Sequence, residues 1–314
     1  MGDRLKGKNA VVTGGGNGIG RAVSLAFAAE GANVLIADYG VSRGGEGSDA
    51  TPAEKVAAEV QAKGVKAMAH FANVADFKAA EGIIDTCVKN FGRIDILVNC
   101  AGILRERMVW NMTEEDWDIL IGVHLKGTFN CGRRAAAVMR EQRSGRIINL
   151  AAEAWKGATG QAKYCAAKGG IVSFTRALAR ELGRYGVTAN AIAPLAGTRL
   201  TLTEEVKASA KRQYEAGQLT KEFYETVTNL PGPEYVAPLF VYLASEKAAN
   251  INGRIFFISK GKVAIYCEPV EQFTMYKTDA DGMWTLEDLE KNIPSSLLVG
   301  YVNPAPPEPP KEKK

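Results

Sequence analysis

Tyr164 and Lys168 stand four residues apart in Tyr164-Cys165-Ala166-Ala167-Lys168. On a helix that spacing puts both side chains on one face. An ammonium beside a phenol favours the phenolate and lowers its pKa. A tyrosine tuned in this way exchanges a proton with a hydroxyl or carbonyl near neutral pH. The same lysine can hold a ribose. Taken alone, the pair also suits an ordinary surface helix, so its meaning depends on what surrounds it.

The stretch from Asn9 to Glu30 supplies that context. A short apolar run, Ala10 to Val12, is followed by a turn with the spacing Gly14-x-x-x-Gly18-x-Gly20. Apolar residues then recur at helical spacing: Ile19, Val23, Ala26 and Phe27. Strand, glycine turn and helix start form the setting in which backbone N–H groups and a helix N-terminus hold a pyrophosphate. Glycine lets the chain turn tightly and lets phosphate approach the main chain. Asp38 falls about twenty residues beyond the turn, at the end of a second apolar run. A carboxylate there accepts hydrogen bonds from both adenosine ribose hydroxyls and repels a 2′-phosphate, so NAD is expected rather than NADP. The other reading makes Asp38 a loop cap, and Arg43 nearby could welcome the phosphate. Asn99-Cys100-Ala101-Gly102 closes a further apolar run with residues small enough to leave room for a ribose.

These residues need a scaffold. Seven short runs recur: Ala10–Thr13, Asn33–Asp38, Lys66–Phe71, Ile94–Asn99, Arg146–Ala151, Val187–Ala193 and Arg254–Ser259. They are mostly non-alternating, which implies strands covered on both faces. Helices are expected over 54–63, 77–91, 114–141, 165–185 and 235–245. The pattern predicts an α/β fold: one doubly wound Rossmann domain over 1–261, with a seven-stranded parallel sheet and helices on both faces. Residues 39–51 read as a glycine-rich loop over the adenine side. Residues 198–233 are longer than a connection needs and read either as a substrate lid or as a solvated helical pair. An extension over 262–303 is expected to hold an extended arm and a short helix opened by Thr285. A Pro/Glu/Lys tail over 304–314 is expected to be disordered.

Composition narrows the class. Of 314 residues, 46% are hydrophobic and 24% charged, enough for a core and a soluble surface. A net charge of +4 without a basic, aromatic-studded stripe gives no reason to expect nucleic acid. No run approaches the ~20 apolar residues that span a bilayer. Five cysteines, none in a CxxC, read as reduced and mostly buried, as in a cytoplasmic protein. Two distant histidines offer no metal site.

The chain resembles the short-chain dehydrogenase/reductase family over roughly residues 5–261. The resemblance rests on TGGGNGIG (13–20), NCAG (99–102), YCAAK (164–168) and ANAIAP (189–194). Within the family it is most similar to the (3R)-hydroxyacyl-CoA dehydrogenase region of peroxisomal multifunctional enzyme type 2 and related bacterial proteins. That similarity lies in AGILRER (101–107), EEDWDILIGVHLKGTF (114–129), APLAGTRLT (193–201) and PEYVAPL (233–239). It implies NAD(P)-dependent alcohol–ketone chemistry, with Tyr164 as acid/base and Lys168 as its partner, and a homodimer or homotetramer. The implied cofactor residues are Gly14, Asn17, Gly18, Ile19, Gly20, Asp38, Asn73, Val74, Asn99, Ala101, Gly102, Tyr164, Lys168, Pro194 and Thr198. The implied substrate is a hydroxyacyl-CoA or a steroid- or terpenoid-like ring alcohol.

Two positions depart from the family pattern. The family serine that donates to the carbonyl oxygen corresponds to Ala152 when counted from GRIINL, or to Ala151 when counted back from Tyr164. Losing one such donor costs about 10²–10³ in rate. Thr159, Glu153, a fixed water or a backbone N–H are the candidate replacements. His124 stands where most members carry an asparagine that positions a relay water. An imidazole can hold a water, and it can also simply pack in a helix. The rival to an active dehydrogenase is a silent homologue that binds NAD and serves as a partner subunit.

Overall fold

The computed structural model describes residues 2–217, 219–278 and 282–305, so most of the expected disordered tail lies outside the described residues. The chain divides into two compact units, Met1–Tyr266 and Cys267–Lys314.

In the first unit β1 (Asn9–Thr13), β2 (Asn33–Asp38), β3 (Ala67–Phe71), β4 (Ile96–Asn99), β5 (Gly145–Leu150), β6 (Val187–Pro194) and β7 (Ile255–Ser259) all run parallel. The sheet order is β3-β2-β1-β4-β5-β6-β7-β8. The direction of winding reverses between β1 and β4, which opens a crevice at the carboxyl ends of the strands. Neighbouring residues of a strand enter different cores. Val12, Ile36 and Val98 pack on α1 (Gly18–Ala29), α2 (Thr51–Gln61) and α9 (Ala237–Ala244). Val11, Leu35 and Leu97 pack on α3 (Phe77–Phe91), α5 (Gly127–Gln142) and α6 (Ala162–Leu182). With both faces covered, no position on these strands needs to be polar, which explains the non-alternating runs.

The sequence predicts seven strands, and the sheet has an eighth. β8 (Lys262–Ile265) pairs antiparallel with β7. Lys260 and Gly261 form the two-residue turn between them, with Gly261 at φ +72°. All four β8 residues are exposed, so this edge strand carries no burial signature.

The helix expected over 114–141 is broken in two. α4 (Glu114–Ile121) opens on a Thr113–Asp116 capping box. A π-helical turn over Gly122–Lys126 then joins it to α5. Such a turn displaces side chains from the regular register. Over 198–233, α7 (Glu204–Glu215) and α8 (Lys221–Thr228) follow β6. The second unit holds α10 (Leu286–Ser296), opened by a Thr285–Asp288 capping box.

Candidate active site

The glycine turn is sterically fixed. Gly14 sits at φ +63°, and a Cβ there would lie 2.7 Å from the Ala101 Cα. A Cβ on Gly20 would lie 2.1 Å from the Gly14 carbonyl oxygen. Gly18 differs: its nearest neighbour is Thr198 at 3.5 Å, across the cleft. Gly18, Ile19 and Gly20, the first residues of α1, line the cleft, and a helix N-terminus at such a place accepts a phosphate. This cradle fits a dinucleotide.

Asp38 closes β2 beside the turn. Its Oδ2 accepts from the Gly16 N–H at 2.8 Å and its Oδ1 from the Gly40 N–H at 2.7 Å. Each oxygen keeps a further lone-pair direction for a ribose hydroxyl. Arg43 is tied elsewhere. Its guanidinium pairs with Glu106 at 3.0 Å and donates to the Leu200 carbonyl at 3.1 Å. The loop over 39–50 is held across the cleft in return, since Arg105 donates to the Gly44 carbonyl at 2.6 Å and pairs with Glu46 at 3.0 Å.

Tyr164 and Lys168 do share a face of α6. The ammonium lies 5.5 Å from the Tyr164 ring centroid, is 2% exposed, and donates to the Leu150 carbonyl at 2.5 Å. The His124 ring meets Tyr164 edge-on at 5.2 Å. The π turn delivers His124 to this point. Its Nε2 reaches the Ile103 carbonyl at 2.7 Å, while its Nδ1 is buried without a partner among the described residues. Burial and the Lys168 charge push the imidazole down to about 3, so it stays neutral.

One sequence expectation is corrected here. The acidic phenol expected from the spacing is not seen here, because burial raises Tyr164 above its ordinary value. Burial also pushes Lys168 down to about 7, which leaves it only part of its charge near neutrality. The hydrogen bond of its Nζ goes to the Leu150 carbonyl.

A cleft open to solvent gathers most of the expected cofactor residues. Gly14, Asn17, Gly18, Ile19, Gly20, Asp38, Asn73, Val74, Ala101, Gly102 and Thr198 line it. Tyr164, Lys168, His124, Asn99 and Pro194 do not. Lys168 and His124 adjoin it through residues that do line it: Leu150 accepts from Lys168, and Gly102 and Ile103 abut His124, while Tyr164 sits against those two side chains. Asn99 is buried and donates to Asn149 at 2.9 Å, which in turn donates to Thr175 of α6 at 2.9 Å. Pro194 ends β6 beside Ile258. Sequence reasoning missed Asp118, Ile119, Arg199 and Leu200, all of which line the cleft. Their chain neighbours were in view, but only the π turn and the connection after β6 bring them inward.

At the family serine position, Ala151 is buried against Val172, Ala191, Ala193 and Ile255. Ala152 is half-buried, so of the two it is the one with room for a hydroxyl. Thr159 is exposed. Among the cysteines, Cys87, Cys100 and Cys131 are buried, Cys165 is partly buried and Cys267 is exposed. Among the described residues no acidic, His or Cys cluster suits a metal, and no helix is long and apolar enough to cross a membrane.

Comparison with known proteins gives the family. The short chain dehydrogenase family model matches residues 8–209. The peroxisomal hydratase-dehydrogenase-epimerase of Neurospora crassa is 40% identical over 83% of this chain, which spans only 27% of that enzyme. The hydroxyacyl-CoA dehydrogenase ChsB1 of Mycobacterium tuberculosis is 38% identical over 84% of this chain and 81% of its own. The crystal structure of a short chain dehydrogenase from Mycobacterium avium superposes with a TM-score of 0.77 at 39% identity, covering 97% of this chain and 98% of that one. The chain belongs to the short-chain dehydrogenases and is an oxidoreductase that uses a nicotinamide nucleotide.

Proposed function

We propose that this enzyme interconverts a secondary alcohol and a ketone on a hydroxyacyl thioester of coenzyme A, with NAD as its cofactor. One observation carries the catalytic part: Lys168, buried beneath the Tyr164 ring, is anchored to the carbonyl of a cleft residue, Leu150. The thioester class is supported by the hydroxyacyl-CoA dehydrogenase among its relatives, most of whose length this chain spans. The choice of NAD is supported by the Asp38 carboxylate at the cleft and by the capture of Arg43 on Glu106.

The glycine turn and Asp38 hold the dinucleotide by its phosphates and adenosine ribose. Bound there, NAD supplies a hydride acceptor for the substrate carbon. In the oxidative direction the Tyr164 phenolate takes the hydroxyl proton at Oη as the C–H bond breaks and the C=O bond forms. In the reductive direction the protonated phenol gives that proton to the carbonyl oxygen. Lys168 stabilises the ionised phenol, and this matters most for oxidation because burial favours the neutral form. His124, neutral and with a free Nδ1, holds a water at the inner end of the site. The segment 198–233 serves as a lid, its first three residues lining the cleft. The chain works as a homodimer or homotetramer, a reading supported by the exposure of Trp110 (72%) and Trp117 (42%).

The test is to follow NADH absorbance with a panel of hydroxyacyl-CoA thioesters and ring alcohols. Turnover on thioesters with NAD, lost in Tyr164→Phe while NADH still binds, supports the proposal. Full activity in Tyr164→Phe removes the catalytic assignment, and a preference for NADP removes the cofactor assignment.

A further inference from the structure

Among the described residues Arg199 is the one cation that lines the cleft, and the charged groups sharing it are Asp38 and Asp118. It has no ion pair or side-chain hydrogen bond among the described residues. Other arginines of the loops around the cleft are committed: Arg43 to Glu106, Arg105 to Glu46, Arg107 to Asp116. The turn that carries Arg199 is fixed from both sides. The Thr198 N–H donates to the Thr201 hydroxyl at 3.0 Å, and the Leu200 N–H donates to the Thr198 hydroxyl at 3.2 Å. The Thr201 hydroxyl donates to the Ala196 carbonyl at 2.7 Å, and Arg43 grips the Leu200 carbonyl. Thr198 also faces Gly18, the glycine whose Cβ position opens to the cleft. A turn pinned by these hydrogen bonds thus carries an exposed Arg199 at the rim of the cleft, one residue along from Thr198, which faces the start of α1. An unpaired guanidinium in that position suits a doubly charged, multi-oxygen anion, which it can meet with two parallel N–H donors.

We propose that Arg199 is a phosphate-binding residue, supplying the positive charge for a pyrophosphate seated on the glycine turn. This rests on the nucleotide-binding reading above and adds a residue to it. A pyrophosphate could come from the dinucleotide or from coenzyme A. The position of Thr198 opposite Gly18 favours the dinucleotide, and the test separates the two.

The ligand-free protein is titrated calorimetrically with ADP-ribose, adenosine and coenzyme A, at low and at physiological salt, in wild type, Arg199→Gln and Arg199→Lys. Arg199→Gln is expected to weaken ADP-ribose about 10-fold, the loss of one charge-assisted hydrogen-bonding group, and to leave adenosine unchanged. Arg199→Lys recovers part of the affinity, and the salt dependence of ADP-ribose binding becomes shallower in Arg199→Gln. Equal ADP-ribose affinity in wild type and Arg199→Gln overturns the proposal, as does an equal loss for adenosine, which marks a general disturbance of the cleft. Weakened coenzyme A with unchanged ADP-ribose transfers Arg199 to the thioester and overturns the dinucleotide assignment. A wild type that binds neither ADP-ribose nor NADH removes the nucleotide-binding reading itself, and this proposal with it.

Discussion

Replacing Lys168 by methionine should abolish turnover and at the same time stabilise the ligand-free protein in a pH-dependent way. Lys168 is 2% exposed, is pushed from 10.5 to about 7 by burial, and donates a hydrogen bond to a neutral carbonyl. At about 1.4 kcal/mol per pH unit, that gap corresponds to roughly 5 kcal/mol of strain carried by the charged form, as an order of magnitude. Below pH 7 both folded and unfolded chains carry the proton, so the whole penalty acts on the fold. Between pH 7 and 10.5 the folded chain releases its proton first, the unfolded chain binds more protons, and stability rises with pH. Lys168→Met removes the term. Urea melts of both proteins at pH 6, 8 and 9.5 read it, staying below the range in which Tyr164 titrates. The variant should be the more stable by a few kcal/mol at pH 6, less the lost hydrogen bond of about 1 kcal/mol. That advantage should shrink steadily toward pH 9.5. A stability difference that is flat with pH would refute the argument that the ammonium is desolvated. The design it implies is a familiar one, in which an active site keeps a group whose burial weakens the fold.

Two further predictions follow from steric detail. Ala152→Ser restores a hydroxyl at the half-buried position and should raise kcat by up to about 10²-fold in the NADH assay; no gain would mean that another donor already serves the carbonyl oxygen. Gly102→Ala would place a Cβ 2.6 Å from His124 Cε1, so the ring must move off Ile103; a loss of about 1–3 kcal/mol by thermal melting is expected, together with reduced turnover, and an unperturbed Tm would count against the tight packing of that ring.

Some of this site was open to reading because its chemistry is local. The glycine turn, the Tyr164–Lys168 spacing and the position of Asp38 each depend on a few consecutive residues or on one strand–turn–helix unit. Backbone conformation and helical periodicity carry such information along the chain. β8 escaped because an exposed edge strand needs no apolar pattern, and the π turn at Gly122–Lys126 escaped because a single wider turn leaves the helical composition unchanged. The protonation states escaped as well. Spacing could say that an ammonium and a phenol share a face, but not that the same burial would discharge the one and hold the proton on the other.

By itself, then, the sequence determined the order of strands and helices and the residue types needed to hold a nucleotide and move a proton. The tertiary structure alone decided how loops distant in the chain meet. Arg43 turns away from Asp38 because Glu106 and the Leu200 carbonyl capture it, and Arg199 enters the cleft because the turn after β6 is pinned there. The physical reason is that such pairings depend on where β2, β4 and β6 end in space relative to one another. The order of strands in the sheet sets those positions, and no periodicity within any single segment records them.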